Sequence, residues 1–443
     1  MRTVSKCLGL MLTLGSGPAL AAGPTYHKDV SRVLQNHCQD CHRPGQVAPF
    51  SLLTYEQARK RGSDLVAVTE GHKMPPWPAS MKEGGPFRDA RVMSAAETAM
   101  IAEWVAAGCP EGDAKDAPAA KSWGSDWPLG EPDLVLSVPE AYALDADGKD
   151  EHRVFVVPTG LNEDRWVSAI DFKPGNPKVV HHVLCAFDTA GRAAKLDAAD
   201  PKPGYAVFGG FGVLPSGGLG GWAPGKRPAH LPAGVGRFLP AGADVLLQVH
   251  YHKSGKAETD ATKVGLYFSK GPIDKQVRGQ AVFAPARAGL FSRPNLLIPA
   301  EDGDYEVKGR TTVGRDAHVI AVAPHMHWLG KDFLLTATKP DGSKVTLIRI
   351  DDWNFNWQGT YDFATPVALP KGTKVELLAH FDNTSKNPAN PSKPAVPVRW
   401  GEQTTDEMCI GFLQLTYDEE HAGDRPPARF RSEPAKGIAS GGR

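Results

Sequence analysis

Two histidines two residues apart, His325 and His327 in Ala-Pro-His-Met-His-Trp-Leu-Gly, are the residues of this chain whose spacing most directly suggests chemistry. On a β-strand that spacing sets both imidazoles on one face, within reach of a single metal ion. An HxH alone is a weak signal, because structural histidines also fall at this spacing by chance. It gains weight from His181-His182, from His250 in Gln-Val-His-Tyr-His, and from Met408 in Asp-Glu-Met-Cys. Together these are five histidines and a thioether, enough for two three-ligand sites. A soft thioether beside two imidazoles suits copper, above all Cu(I), better than zinc. His181 and His182 are adjacent and point to opposite faces of a regular strand, so joint ligation requires a bulge or a strand end. The Lys-Pro-Gly-Asn-Pro-Lys turn before them is compatible with one. His250 supplies the third nitrogen of that set, with His252 on the same face as a competitor. The bland alternative for each is an unrelated structural histidine.

A second chemical signal lies near the N-terminus. His37-Cys38-Gln39-Asp40-Cys41-His42 contains CxxCH, in which two thiols form thioethers with haem vinyl groups and the adjacent histidine binds iron. A zinc knuckle would need a second cysteine or histidine pair nearby, and none follows; a redox dithiol is the other alternative. Met74, in Lys-Met-Pro-Pro-Trp, is the expected sixth haem ligand, its loop stiffened by the prolines. His72, Met81 and Met93 are the alternatives. A Met/His pair raises the reduction potential and suits an electron carrier.

The elements that must position these groups are of two kinds. Tyr26, Val30, Val33 and Leu34 share a helical face leading into CxxCH. Thr54 with Gln57, and Ser94 with Glu97, make capping boxes. The second box opens a helix carrying Met100, Ile101, Trp104 and Val105, which Gly108 closes. Residues 24–112 are therefore expected to form a small all-α, class I cytochrome c domain. The run from His42 to Trp77 looks like cytochrome modules fused to other exported bacterial domains. Residues 113–130 read as a linker. Beyond Pro132 short β-type runs dominate, such as Val154-Phe155-Val156-Val157 and Val245-Leu246-Leu247, separated by turn clusters. With 47 glycines and 38 prolines in 443 residues, they predict two all-β, jelly-roll-like sandwich domains, 131–275 and 276–421. A disordered tail is expected over 422–443.

Residues 1–22 have a basic start, a short apolar core and a small-x-small cleavage site, the marks of a cleaved signal peptide. The mature protein is expected in a periplasm or secreted. No run is long enough for stable membrane insertion. Lysine plus arginine equals aspartate plus glutamate at 50 each, which argues against nucleic acid as a partner. Of six cysteines, Cys7 leaves with the leader and the haem motif takes two. Cys109, Cys185 and Cys409 allow at most one disulfide, so the chain is not a disulfide scaffold.

The ordered stretches Val-His-His-Val (180–183), Gly-Trp-Ala-Pro-Gly (221–225), Leu-Pro-Ala-Gly-Val-Gly (231–236), Leu-Gln-Val-His-Tyr-His (247–252), His-Met-His-Trp-Leu-Gly-Lys (325–331) and Thr-Thr-Asp-Glu-Met-Cys (404–409) span most of residues 131–418. In them the chain resembles the copper type II, ascorbate-dependent monooxygenases, the group of peptidylglycine α-hydroxylating and dopamine β-monooxygenases. The resemblance implies two jelly-roll-like domains with one copper each. His181, His182 and His250 would hold an electron-transfer copper; His325, His327 and Met408 would hold an oxygen-binding copper with an open position. The family reaction inserts one atom of O2 into a C–H bond and reduces the other to water. Where the peptide hydroxylases carry an arginine, an asparagine and a tyrosine for the substrate carboxylate, this chain has Ala323, Ile410 and Phe412. A peptidylglycine substrate is thereby disfavoured, and a more apolar small organic substrate is expected. The position of the usual cysteine partner of Cys409 is His380. The haem segment, or a separate periplasmic donor, would replace ascorbate as reductant. The alternative function is a copper and haem electron-transfer or copper-binding module without hydroxylation.

Overall fold

The computed structural model describes residues 23–123, 127–207, 210–224, 226–285, 294–401 and 403–422. The expected signal peptide, and the expected tail from residue 423, lie outside the described residues. The chain forms two compact units. The first comprises the described residues to Arg43, Phe50–Lys73 and Met93–Ala120. A π-helical turn, Tyr26–Val30, leads into the helix Ser31–His37. Both capping boxes form: Thr54 opens Tyr55–Lys60 and Ser94 opens Ala95–Ala106, each with the glutamine or glutamate three residues on reaching back to the cap. Gly62–Glu70 completes the set. Val30, Leu34, Ile101 and Trp104 meet in the buried core of this unit.

The expectation of a small all-α cytochrome c domain, followed by two jelly-roll-like domains, is corrected here. The protein is mostly β and mainly β-sandwich, with about 37% strand against 13% helix, and no separate all-α domain stands out. The reason lies in the middle of the predicted domain. Residues 44–49 and 74–92 belong to the second unit. Ala79–Gly84 is a strand that pairs antiparallel with Lys344–Ile350, and Phe87 bridges to Phe363. Trp77 packs edge-on against Tyr361 with ring centroids 5.1 Å apart. Helical periodicity stops at Gly71, and the apolar residues that follow are drawn into a β core.

In the second unit, one five-stranded sheet runs in the order Tyr205–Ala206, Glu151–Pro158, Asp244–Tyr251, Val180–Asp188, Gly217–Trp222. A second sheet contains Arg165–Lys173, Lys263–Phe268 and Val235–Leu239. Phe155, Val183, Leu247, Val167 and Leu266 fill the core between them. Leu246 faces the other way, against Ala193 and Tyr205. Asp244–Tyr251 is thus covered on both faces, which explains why its residues from Val245 onward are all buried. Each of its buried valine and leucine side chains contributes about 1.5–3 kcal/mol by leaving water.

The remaining strands build a second sandwich. Its four-stranded sheet runs Arg278–Phe283, Cys409–Tyr417, Ala317–Met326, Tyr361–Leu369. Its five-stranded sheet includes Gly330–Thr338, Lys374–Phe381 and Tyr305–Thr312. Along Lys374–Phe381, Val375, Leu377, Ala379 and Phe381 are buried in alternation, so one face meets the core. Among the described residues no helix is long and apolar enough to cross a membrane.

Candidate metal centres

Strand register sets the first cluster. His250 lies opposite His152 on one neighbouring strand and opposite His182 on the other. The pleat turns all three side chains to the face shared with Leu246, so they form a row across three strands. Ligand atoms of these three residues lie within 4.8 Å of one another, the one such group of histidine, cysteine or carboxylate residues among those described. The Nδ1 atoms of His250 and His182 are 3.4 Å apart. Two nitrogens at about 2.0 Å from one ion in tetrahedral geometry lie about 3.3 Å apart, so the pair fits a shared metal. His152 stacks on His250 with centroids 4.1 Å apart. Gln248 is buried on the same face, and its Oε1 has no hydrogen-bond donor.

The register shifts between His250 and Tyr251, leaving His181 as the extra residue of a bulge. His181 therefore sits near its neighbour's side of the strand, its ring 5.0 Å from His250 and 5.5 Å from His182. It stacks on Phe355 at 4.9 Å. The tight trio contains His152 where the sequence reading has His181, and His181 stands a ring's width away. His252 is exposed and binds Asp150 through Nδ1 at 3.1 Å. Asp150 Oδ2 accepts from His250 Nε2 at 2.9 Å, which leaves His250 Nδ1 facing the trio. Burial pushes the Asp150 carboxyl up, but its bonds to His250 and His252 outweigh that and hold it well below its ordinary value.

The second cluster rests on the pairing of Ala317–Met326 with Cys409–Tyr417, in which His325 lies opposite Ile410 and Met326 opposite Cys409. Met326 and Cys409 point into the core. His327 and Met408 directly follow these two strand ends, where continuing the pleat would bring them opposite one another on the side of His325. The two rings are 5.2 Å apart. His325 Nδ1 donates to Gln358 Oε1 at 2.5 Å, and His327 Nδ1 donates to the Asp406 carbonyl at 3.0 Å. That leaves both Nε2 atoms available to a ligand. Glu407, fully buried, braces this edge: its carboxylate accepts from the backbone N–H of His327 at 2.8 Å, Leu329 at 2.6 Å and Met408 at 3.2 Å. Burial pushes that carboxyl up to about 8 against these bonds. Trp353 Nε1 donates to the His327 carbonyl at 3.0 Å. Phe355 meets His327 edge-on at 5.9 Å as well as His181. Beside Met408, Ile410 is buried and Phe412 exposed.

At His152, His181, His182, His325 and His327 burial favours the neutral imidazole, the form that binds metal. It lowers His152 to about 4, and His181 and His327 to about 3, with neighbouring histidines adding to the shift. His182 and His325 are lowered for the same first reason.

In the first unit Cys38 caps the helix Ser31–His37, and the His42 N–H donates to the Cys38 carbonyl at 2.9 Å, closing the CxxCH turn. Neither Cys38 nor Cys41 is in a disulfide. His42 Nδ1 donates to the Phe50 carbonyl at 3.1 Å, which turns Nε2 outward for a ligand. Burial lowers His42. Met74 belongs to the second unit, as does Met81, which is exposed. Cys109, Cys185 and Cys409 are all free thiols, and His380 pairs with Asp332 at 2.8 Å.

Sequence reading missed His152, Asp150, Gln358 and Phe355. His152 is separated from its partners by long stretches of chain and only the strand register brings it to them. Glu407 lies inside the quoted Asp-Glu-Met-Cys motif, but its bracing role depends on a turn invisible in that motif.

No protein-family model matches the chain, and no curated protein matches it. Solved structures resemble it remotely. The VP2 subviral particle of infectious bursal disease virus shares 9% identity over 69% of this chain and 78% of that one, with a TM-score of 0.20. PNGF-II shares 9% identity over 64% and 65%, with a TM-score of 0.26. Likeness at that level carries no argument about function.

Proposed function

We propose that this protein is an exported haem- and copper-containing monooxygenase. It would hydroxylate a C–H bond of a small organic substrate with O2, taking electrons through the haem-bearing N-terminal segment. The reading is supported chiefly by the strand pairing that ends at Met326 and Cys409, next to His327 and Met408, with the rings of His325 and His327 5.2 Å apart and each Nδ1 engaged. Two imidazoles and a thioether form a donor set for copper that leaves a coordination position open. When bound, copper supplies one-electron redox chemistry and O2 activation, and haem on Cys38, Cys41 and His42 supplies a further one-electron store. His182 and His250, with His152 or His181, form the second copper-binding set. Gln358, Glu407 and the Asp406 carbonyl orient the ligands, Asp150 orients His250, and Phe412 presents an apolar surface to substrate. A tethered haem gives its electrons a high effective concentration at the copper sites. Periplasmic or secreted placement, with O2 and a small molecule as partners, follows from the leader and this chemistry.

A relay or copper-holding module is the second reading, favoured by one observation: the His152, His182 and His250 trio is complete without Met408. Stopped-flow mixing of fully reduced, copper-loaded protein with oxygenated buffer separates the two. For an oxygenase wired to the haem, haem oxidation requires copper and is lost in Met408→Ala. Copper-independent oxidation, or indifference to Met408→Ala, refutes that wiring.

A further inference from the structure

Away from both histidine clusters, the two sandwiches of the second unit enclose a cleft lined by Lys226, Arg237, Asp362 and Gln414, with apolar walls including Ile170 and Leu231. Its floor is a row set by register: Ala321 lies between Asp362 on one neighbouring strand and Gln414 on the other. Lys226 Nζ donates to the Gly221 carbonyl at 2.5 Å, and Arg237 Nη2 donates to Gln414 Oε1 at 2.7 Å. Among the described residues neither cation has a carboxylate in ion-pair contact. Asp362, the acid that faces them, is instead paired with Arg88 at 3.7 Å. Desolvation lowers Lys226 to about 8 and Arg237 to about 10, the mark of cations held away from water without full compensation. Arg227 also lines the cleft and Asp171 acts on Lys226, so lysine and arginine outnumber carboxylates here, which suits an anion.

The same sheet face continues toward the second histidine cluster. Ala323 lies opposite Phe412 two residues on, and His325 opposite Ile410 two further. From Ala321 to His325 is four residues, about 13 Å of strand. Phe412 is 41% exposed, so its ring is accessible to a ligand on this face. We infer that Lys226 and Arg237 bind the carboxylate of an amphipathic organic acid whose apolar body lies over Ala323 and Phe412 toward His325. The ammonium and the guanidinium fork together match a planar carboxylate, and the small Ala323 leaves room beside the aromatic ring. Its role as the anchor of an oxygenated substrate rests on the monooxygenase reading; the binding itself does not.

The test is calorimetric titration of the metal-free, full-length protein with decanoate and with decanol, at pH 7. Decanoate is expected to bind at least tenfold more tightly than decanol. Arg237→Gln should weaken decanoate at least tenfold and leave decanol unchanged, and Phe412→Ala should weaken both. Equal binding of the acid and the alcohol by the unaltered protein overturns the inference whether or not any variant folds, as does decanoate affinity unaffected by Arg237→Gln. Since no metal is present, failure of the oxygenase reading would leave this result standing, and the reverse also holds.

Discussion

Replacing Glu407 by glutamine should loosen the turn that carries His327 and Met408. Glu407 uses both carboxylate oxygens: Oε2 accepts from the His327 and Met408 N–H groups, and Oε1 from that of Leu329. Glutamine keeps the shape but has one acceptor oxygen, and its amide nitrogen has only donors to present. In either orientation at least one buried backbone N–H loses its acceptor and meets another donor. Leaving one buried donor unpaired costs about 1–3 kcal/mol. If the turn opens locally, that corresponds to roughly 5–150-fold faster amide exchange. Hydrogen exchange read by mass spectrometry on a peptide spanning 325–330 measures it directly, with a peptide from Lys374–Phe381 as the internal control. Copper affinity of the His325 and His327 pair should fall about 10–100-fold, since the ligands lose their brace. Unchanged exchange over 325–330 would refute the argument that Glu407 holds this edge. Equal acceleration in the control peptide would show global destabilisation instead.

His152→Ala should weaken the copper bound with His182 and His250 and leave the His325 site intact, which chelator competition with metal analysis would show as the loss of one tight ion of two. Cys38→Ser with Cys41→Ser should abolish covalent haem, so that denatured protein loses both its haem mass and its haem stain while copper binding persists. Burial raises Asp171 to about 6 from an ordinary value near 4. A raised acid is neutral in both states below the unfolded value, and its ionisation in the unfolded chain costs the fold stability as pH rises to the folded value. Asp171→Asn should therefore gain up to about 3 kcal/mol over the unaltered protein between pH 4 and pH 6, with a constant gain above. Thermal unfolding of both proteins across that range checks it, and a difference independent of pH would refute it.

Much of the candidate chemistry was already legible in residue order. HxH spacing predicts His325 and His327 on one side of a pleat of period two, and their rings lie 5.2 Å apart although the strand itself ends at Met326. CxxCH and the capping boxes at Thr54 and Ser94 are equally local, and the structure closes both boxes. The β character of the runs beyond Pro132 follows from short alternation and turn residues. What residue order did not determine is which strands are neighbours. His152 joins His250 and His182 only because three strands distant in sequence pair at one level, and His181 turns toward them only through a bulge. Residues 74–92 fall to the second unit because Trp77 and Phe87 find partners in Tyr361 and Phe363, far along the chain. Local periodicity carries no term for such partners. The sequence by itself determined the candidate ligand types and their local spacing; the tertiary structure decided which candidates meet, because strand pairing is a long-range choice made by the buried cores.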